Sequence, residues 1–257
     1  MKKAFHPKED RYITVHDYLS EFGPRLDASG KVRTRPRSRC PACLEPMKIF
    51  GEDRPLHDQV FSHIGIKNSV PCPLRNRADH RYEFLNEAPE DTEAGRRLRQ
   101  NFFEKWEKHY EKMRKLLSGF MNVQDFIDLI HEADRTRLWN RANLSEWEIP
   151  YIFLVWTEWP PVKKKRDGTI LRKEWIRFWF DSRVRTLEEI WIRTQGPFRI
   201  IKAWYRDPER GGVPGLNHLI DTDVVEIDTD FLNSQHKNPS DFAIDKMRQF
   251  FSDELDS

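Results

Sequence analysis

The stretch from Arg39 to Cys72 decides how the rest of the chain is read: R-C-P-A-C-L-E-P-M-K-I-F-G over 39–51, H-D-Q-V-F-S-H-I-G over 57–65, and P-C-P over 71–73. All three cysteines of the 257-residue chain, Cys40, Cys43 and Cys72, fall inside it, with His57 and His63 between them. At C-x-x-C spacing two thiolates grip one ion across a tight turn, and the following backbone N–H groups can point back at sulfur. Structural zinc takes four N or S donors, so three cysteines leave one place for a histidine. His63 is the first choice. Phe61-Ser62-His63 puts a core aromatic on the same face of an extended segment, and the polar loop 64–70 can return Cys72. His57, after the turn-like Asp53-Arg54-Pro55, is the second candidate and His80 the third. Three inert buried thiols are the competing reading, and the clustering speaks against it. The odd number of cysteines disfavours a disulfide, as does Met1-Lys2-Lys3, which leads into charge and not into an apolar signal segment.

The C-P-A-C, V-F-S-H and C-P elements together resemble the zinc-binding segment near the N-terminus of bacterial CoiA-like competence proteins. Val60 stands where that family has the first histidine of its H-F-x-H element, so His63 alone matches. The family also has a restriction-nuclease-like domain with an acidic residue followed by E-x-K. Here Glu174-Trp175-Ile176-Arg177 has arginine in the lysine place. The resemblance covers about a tenth of the chain. It implies a zinc module from the bacterial DNA-handling repertoire and carries over no activity.

Composition sets outer limits. A third of the residues are charged, yet the net charge is +2, so bulk electrostatics alone do not announce a polyanion partner. Its distribution says more: residues 1–85 carry +5 and residues 214–257 carry −7. Nine Trp and seventeen Phe can build cores despite a mean hydropathy of −0.80. No apolar run approaches the roughly 20 residues of a membrane span. A soluble, reduced, cytoplasmic chain with no membrane partner is expected.

Ahead of the first cysteine, Lys31, Arg33, Arg35, Arg37 and Arg39 occupy every second position. Pro36 forbids a helix, and period two puts five cations on one face of an extended segment, about 6.6 Å apart. That approximates a phosphate backbone repeat and points to nucleic acid, DNA above all. A solvated edge strand guarded by charge is the bland equivalent. Arg75 and Arg77 add charge beside the module. Lys163-Lys164-Lys165-Arg166 forms a second basic patch, at the tip of an expected hairpin.

Two domains are expected: 1–88, a zinc-binding module with the basic strand, and 89–257, a helical hairpin plus antiparallel sheet with an acidic C-terminal segment. Thr14 and Asp17 box a short N-terminal helix with Val15, Tyr18, Leu19 and Phe22 on one side. From Asp91 or Thr92, apolar residues at Leu98, Phe102, Trp106, Tyr110, Met113 and Leu117 predict one long helix ending near Gly119. Asn122 caps the next. The run Tyr151–Trp156 reads as a buried strand, returning after Asp167-Gly168 as Glu174–Phe180, with further strands at Glu189–Arg193 and Phe198–Tyr205. The fold class is therefore α+β, with a sheet of about four strands. A terminal helix over Asp241–Phe251 has Phe242, Met247, Phe250 and Phe251 as its apolar side.

Asp221, Asp223, Glu226, Asp228 and Asp230 alternate around Val224, Val225 and Ile227. Such carboxylates can hold Mg²⁺, but no Lys or His lies within the alternation, which suits a strand edge better than a nuclease. Walker, dinucleotide-binding and nucleophile-elbow motifs are absent. Three functions are therefore carried forward. The first is a zinc-stabilised nucleic-acid binder without catalysis of its own, in a bacterial DNA-processing or defence assembly. The second is a protein–protein adaptor of such an assembly, and the third a metal-dependent nuclease built on Asp221–Asp230.

Overall fold

Thr14 and Asp17 start the first helix as their spacing predicts. The computed structural model describes residues 1–9, 11–64, 72, 90–142, 144–163, 167–180, 200–208, 211–235 and 237–255. In it the Thr14 hydroxyl accepts from Asp17 N at 3.2 Å, and the Asp17 carboxylate accepts from Thr14 N at 3.3 Å. Helix α1, Val15–Phe22, buries Val15 and Tyr18 and stops at Gly23, whose φ of 75° an L side chain rarely adopts. Around it lies an antiparallel sheet in the order β2-β1-β3-β4-β5, with β1 Lys3–Phe5, β2 Tyr12–Thr14, β3 Ser38–Arg39, β4 Pro46–Phe50 and β5 Val60–His63. The chain at Met1 also bonds to β5: Phe61 N donates to Met1 O at 2.8 Å and Met1 N to Phe61 O at 3.1 Å. β4 alternates, with Met47 and Ile49 inward, and β5 turns Phe61 and His63 to the same buried side.

The second half is mostly helical. One long helix was expected from residue 91 or 92, and the chain instead forms α2, Thr92–Glu104, and α3, Trp106–Leu116, broken at Lys105. The apolar spacing explains why. Each step of four overshoots a 3.6-residue turn by about 40°, so three successive steps from Leu98 to Tyr110 would carry the stripe about 120° off the core. The break resets the phase, and Phe102, Trp106, Tyr110, Met113 and Leu117 all enter one core. Asn122 caps α4, Val123–Arg135, accepting from Gln124 N at 3.2 Å.

Tyr151–Trp156 is not a strand. It belongs to helix α5, Ile149–Trp156, buried from Ile149 through Val155 at the centre of the helical core. A continuous apolar run serves a central helix as well as a covered strand; what decides is its start. Ser145 and Glu148 form a capping box, and Pro150 fits a first turn where no N–H partner is needed. The expected hairpin partner therefore does not exist. Asp167-Gly168 instead closes a small ribbon of β6, Val162–Lys163, and β7, Ile170–Arg172.

β8, Trp175–Phe180, pairs with β9, Ile200–Tyr205, which pairs with β10, Leu219–Val225, all antiparallel. The strand expected at 189–193 lies outside the described residues. One face of this sheet, with Ile176, Phe178, Phe180, Ile200 and Val225, packs on the helices. The other, with Trp179, Ile201, Ala203 and Tyr205, packs in a core with Cys40, Cys43, Cys72, Ile13, Met47 and Phe61. That double burial is why β8 reads W-I-R-F-W-F without apolar–polar alternation. Helix α6, Asp241–Leu255, docks on the helical core through Met247 and Phe250. Phe242, expected on its apolar side, is 64% exposed.

Candidate metal centre

Cys40 and Cys43 sit on the turn between β3 and β4. Cys40 N donates to Glu45 O at 2.9 Å and Leu44 N to Cys40 O at 2.8 Å, which closes the turn around residues 41–44. Leu44 takes a φ of 57°, a conformation that non-glycine residues adopt at a cost of about 1 kcal/mol. The turn points Ala42 N at Cys40 Sγ, 3.4 Å away, as C-x-x-C spacing foretells. His63 arrives from β5, which pairs with β4 so that Met47 stands opposite His63. Cys72 closes the group. Cys40 Sγ and Cys72 Sγ are 3.8 Å apart, and Cys43 Sγ is 3.3 Å from His63 Nε2. All four donor atoms lie within 4.8 Å of one another, all four residues are buried, and no disulfide joins the cysteines.

The electrostatics of this group call for a cation. Burial, and then the neighbouring Cys43 and Cys72, push the Cys40 thiol well above the ordinary cysteine range. Cys43 goes the other way, held far down by hydrogen bonds from Cys40 and Cys72 and then from His63. Ionising all three sulfurs in the same buried volume is prohibitive unless a cation shares it. His63 Nδ1 is buried without a hydrogen-bond partner among the described residues, and Nε2 is the ring atom that faces Cys43. These four residues could hold a metal ion. His57, the second histidine candidate, has a side chain 80% exposed on the 3-10 turn Leu56–Asp58 and does not join them. His80 lies outside the described residues.

A second group, His6, Glu9 and Glu21, also brings three donors together and was not singled out from the sequence. Its bonding differs. His6 Nδ1 accepts from Glu9 N at 2.9 Å and Lys8 N at 3.2 Å, so Nε2 carries the proton and donates to Glu21 Oε1 at 2.8 Å. Neither ring nitrogen has a lone pair to offer, and Arg11 already pairs with both carboxylates. It is a hydrogen-bonded strut between β1 and α1.

The five cations of 31–39 do not all reach solvent. Arg35 Nη2 bonds Glu52 Oε1 at 2.6 Å and its Nη1 bonds Gly23 O at 2.9 Å. Arg39 binds the carbonyls of His6 and Glu9 at 3.1 and 2.8 Å. Lys31, Arg33 and Arg37 are exposed, and no hydrogen bond or ion pair engages their side chains among the described residues. Lys163 is exposed on β6; Arg75, Arg77, Lys164, Lys165 and Arg166 lie outside the described residues.

The acidic segment is spread out. Asp221 pairs with Lys3 at 3.8 Å, and Asp228 with Lys112 at 2.9 Å. Among the described residues these carboxylates form no group of three close donors. Lys202, not singled out from the sequence, stands opposite Asp223 on β9, but its ammonium donates to Leu116 O at 2.5 Å and lies 4.7 Å from the Trp204 ring. Burial, then Arg172, lowers its pKa to about 8.

Fold and site together define an α+β chain with a built-in Cys3His group able to hold a metal ion. No protein-family model, curated protein or solved structure matches the chain. Among the described residues no helix is long and apolar enough to cross a membrane.

Proposed function

We propose that this chain is a zinc-stabilised nucleic-acid-binding protein in which Cys40, Cys43, His63 and Cys72 hold the ion. The observation that carries the metal half is the spacing of the donors. Tetrahedral zinc, with Zn–S near 2.3 Å and Zn–N near 2.0 Å, sets donor atoms roughly 3.5–3.8 Å apart. The 3.8 Å sulfur pair matches that frame, and the 3.3 Å sulfur–nitrogen pair lies about 0.2 Å inside it. Zinc would stabilise three adjacent thiolates and orient the β3–β4 turn and β5 against one another. Its coordination shell is filled by the protein, so the role is structural.

Support for the nucleic-acid half is the exposed trio Lys31, Arg33 and Arg37, whose side chains make no hydrogen bond or ion pair among the described residues and which lies before the first cysteine of the group. Arg35 and Arg39 hold the segment to the body of the module and fix where the other three project. Two measurements test the reading together. Elemental analysis gives one zinc per chain, lost in Cys43→Ser. Binding to mixed-sequence DNA falls steeply with salt, and the Lys31→Ala, Arg33→Ala, Arg37→Ala protein loses about three units of the log–log salt slope. Metal-free wild-type protein with full stability, or a slope unchanged in the triple variant, overturns the corresponding half.

A further inference from the structure

Residues 25–33 form a short ribbon whose two faces differ. Arg33 N donates to Arg25 O at 2.8 Å and Asp27 N to Lys31 O at 2.9 Å, so Leu26 and Val32 face each other between these rungs. That pairing brings their side chains together on one face, with Arg25, Lys31 and Arg33 on the other. Leu26 is 50% exposed and Val32 60%, among the most exposed large apolar side chains of the described residues. The tip is built to be stiff. Asp27 Oδ1 accepts from Ser29 N at 2.9 Å, Ser29 Oγ at 2.6 Å and Lys31 N at 2.9 Å, and Gly30 supplies a φ of 80°. The base is bolted down as well: Glu52 accepts from Arg25 N at 3.1 Å and from the Arg35 guanidinium at 2.6 Å.

A rigid projection with two aliphatic side chains at its face and cations behind them has one fitting partner chemistry. Two side chains are far too little apolar surface for a protein interface, which needs about 800 Å² from each partner. They are the right size for one base step, where minor-groove proteins insert small apolar wedges and kink the duplex. Against Arg25, Lys31 and Arg33 the ribbon carries one carboxylate, Asp27, whose Oδ1 is turned into the tip, so the net charge it offers a ligand is positive. We infer that the 25–33 ribbon is a DNA-bending arm: Leu26 and Val32 wedge into a base step of duplex DNA while Arg25, Lys31 and Arg33 take the flanking phosphates. This rests on the nucleic-acid reading above and names the form of nucleic acid bound.

The test uses the full-length, metal-loaded chain and a 30-base-pair mixed-sequence duplex carrying a donor and an acceptor dye at its ends. Wild-type protein raises energy transfer, and binds more tightly to a duplex with a central mismatch, whose step unstacks more easily. Leu26→Ser with Val32→Ser, both at exposed positions, keeps the fold by circular dichroism and keeps the salt slope. It loses the gain in energy transfer and about tenfold in affinity. Arg25→Ala with Arg33→Ala lowers the slope by about two. Duplex binding without bending, or bending unchanged in the serine variant, overturns the arm while leaving the nucleic-acid reading intact. No binding to duplex or single strand at low salt overturns both. Capture of wild type but not of the serine variant by phosphatidylserine vesicles, with no bending of DNA, overturns the arm and assigns the ribbon to a lipid surface.

Discussion

His109 has no exposure at all, yet it titrates in the physiological range when free. Its Nε2 lies 3.2 Å from Glu146 Oε1, its ring stacks on Phe102 at 4.3 Å, and Nδ1 has no hydrogen-bond partner among the described residues. Burial lowers its pKa from the ordinary 6.5, against the opposing pull of Glu146. Above about pH 6.5 the ring is neutral both folded and unfolded. Below it the unfolded chain takes up a proton that the fold refuses, so stability falls as the pH drops toward the depressed folded value, by up to about 1.4 kcal/mol per pH unit. Burial works against the Glu146 carboxylate, but bonds from His109 and Lys105 outweigh it and hold its pKa below the usual 4.5. Its contribution is present above 4.5 and is lost as the pH falls through the folded value, in the same direction as that of His109. His109→Gln, which keeps a donor toward Glu146, should flatten the fall in Tm between pH 6.5 and 5 seen in a thermal-melt series. An equal fall in both proteins removes His109 from the account. None of this was legible in the sequence, because His109 and Glu146 stand 37 residues apart and meet only in the folded chain.

At the scale of elements, α2 depends on how closely the 3-10 turn Leu138–Asn140 approaches it. A Cβ on Gly95 would stand 2.4 Å from Asn140 Oδ1, 2.8 Å from its Cα and 2.9 Å from its N. Asn140 cannot step back easily, since its carbonyl accepts from Asp91 N at 2.7 Å and its N–H donates to Arg137 O at 3.1 Å. Alanine gains about 1 kcal/mol of helix propensity and meets an overpacking cost of about 1–3 kcal/mol or more against fixed backbone. Gly95→Ala should therefore destabilise the chain, read as a lower urea midpoint at unchanged m-value; a higher midpoint would show that the turn yields. Elements with local start signals were legible: Thr14 and Asp17 for α1, Asp91 for α2, Asn122 for α4. That His63 joins the three cysteines was legible too, because period two put Phe61 and His63 on one face. Helix α5 was misread since its apolar run carries no period, and its start lay in Ser145 and Glu148, outside that run. The basic segment was half legible: alternation fits the bridge at Val32 and the strand Ser38–Arg39, but Glu52 and the carbonyls that take Arg35 and Arg39 come from other parts of the chain.

For the molecule as a whole, the sheet β8–β9–β10 is the wall common to both cores. Cys40, Cys43 and Cys72 share their core with Trp179, Ile201, Ala203 and Tyr205. Zinc held at the four donors, as proposed, would lodge on the order of 10 kcal/mol of folding energy in that shared core. Stripping the metal with a strong chelator should therefore disturb more than the N-terminal sheet. Near-ultraviolet circular dichroism from the tryptophans, Trp179 included, should be lost together with the sulfur–metal signal of a cobalt-substituted sample, in one transition. Two separated transitions, with the aromatic signal persisting after metal loss, would show the cores to be independent. The same wall bears on how such a chain can be taken apart or reused. A cut between residues 88 and 89 leaves the cysteine turn without its floor and strips Trp179 and Tyr205 of their cover. The cysteine-bearing segment is thus no cassette to be grafted onto a foreign host chain; to travel, it must take the wall with it.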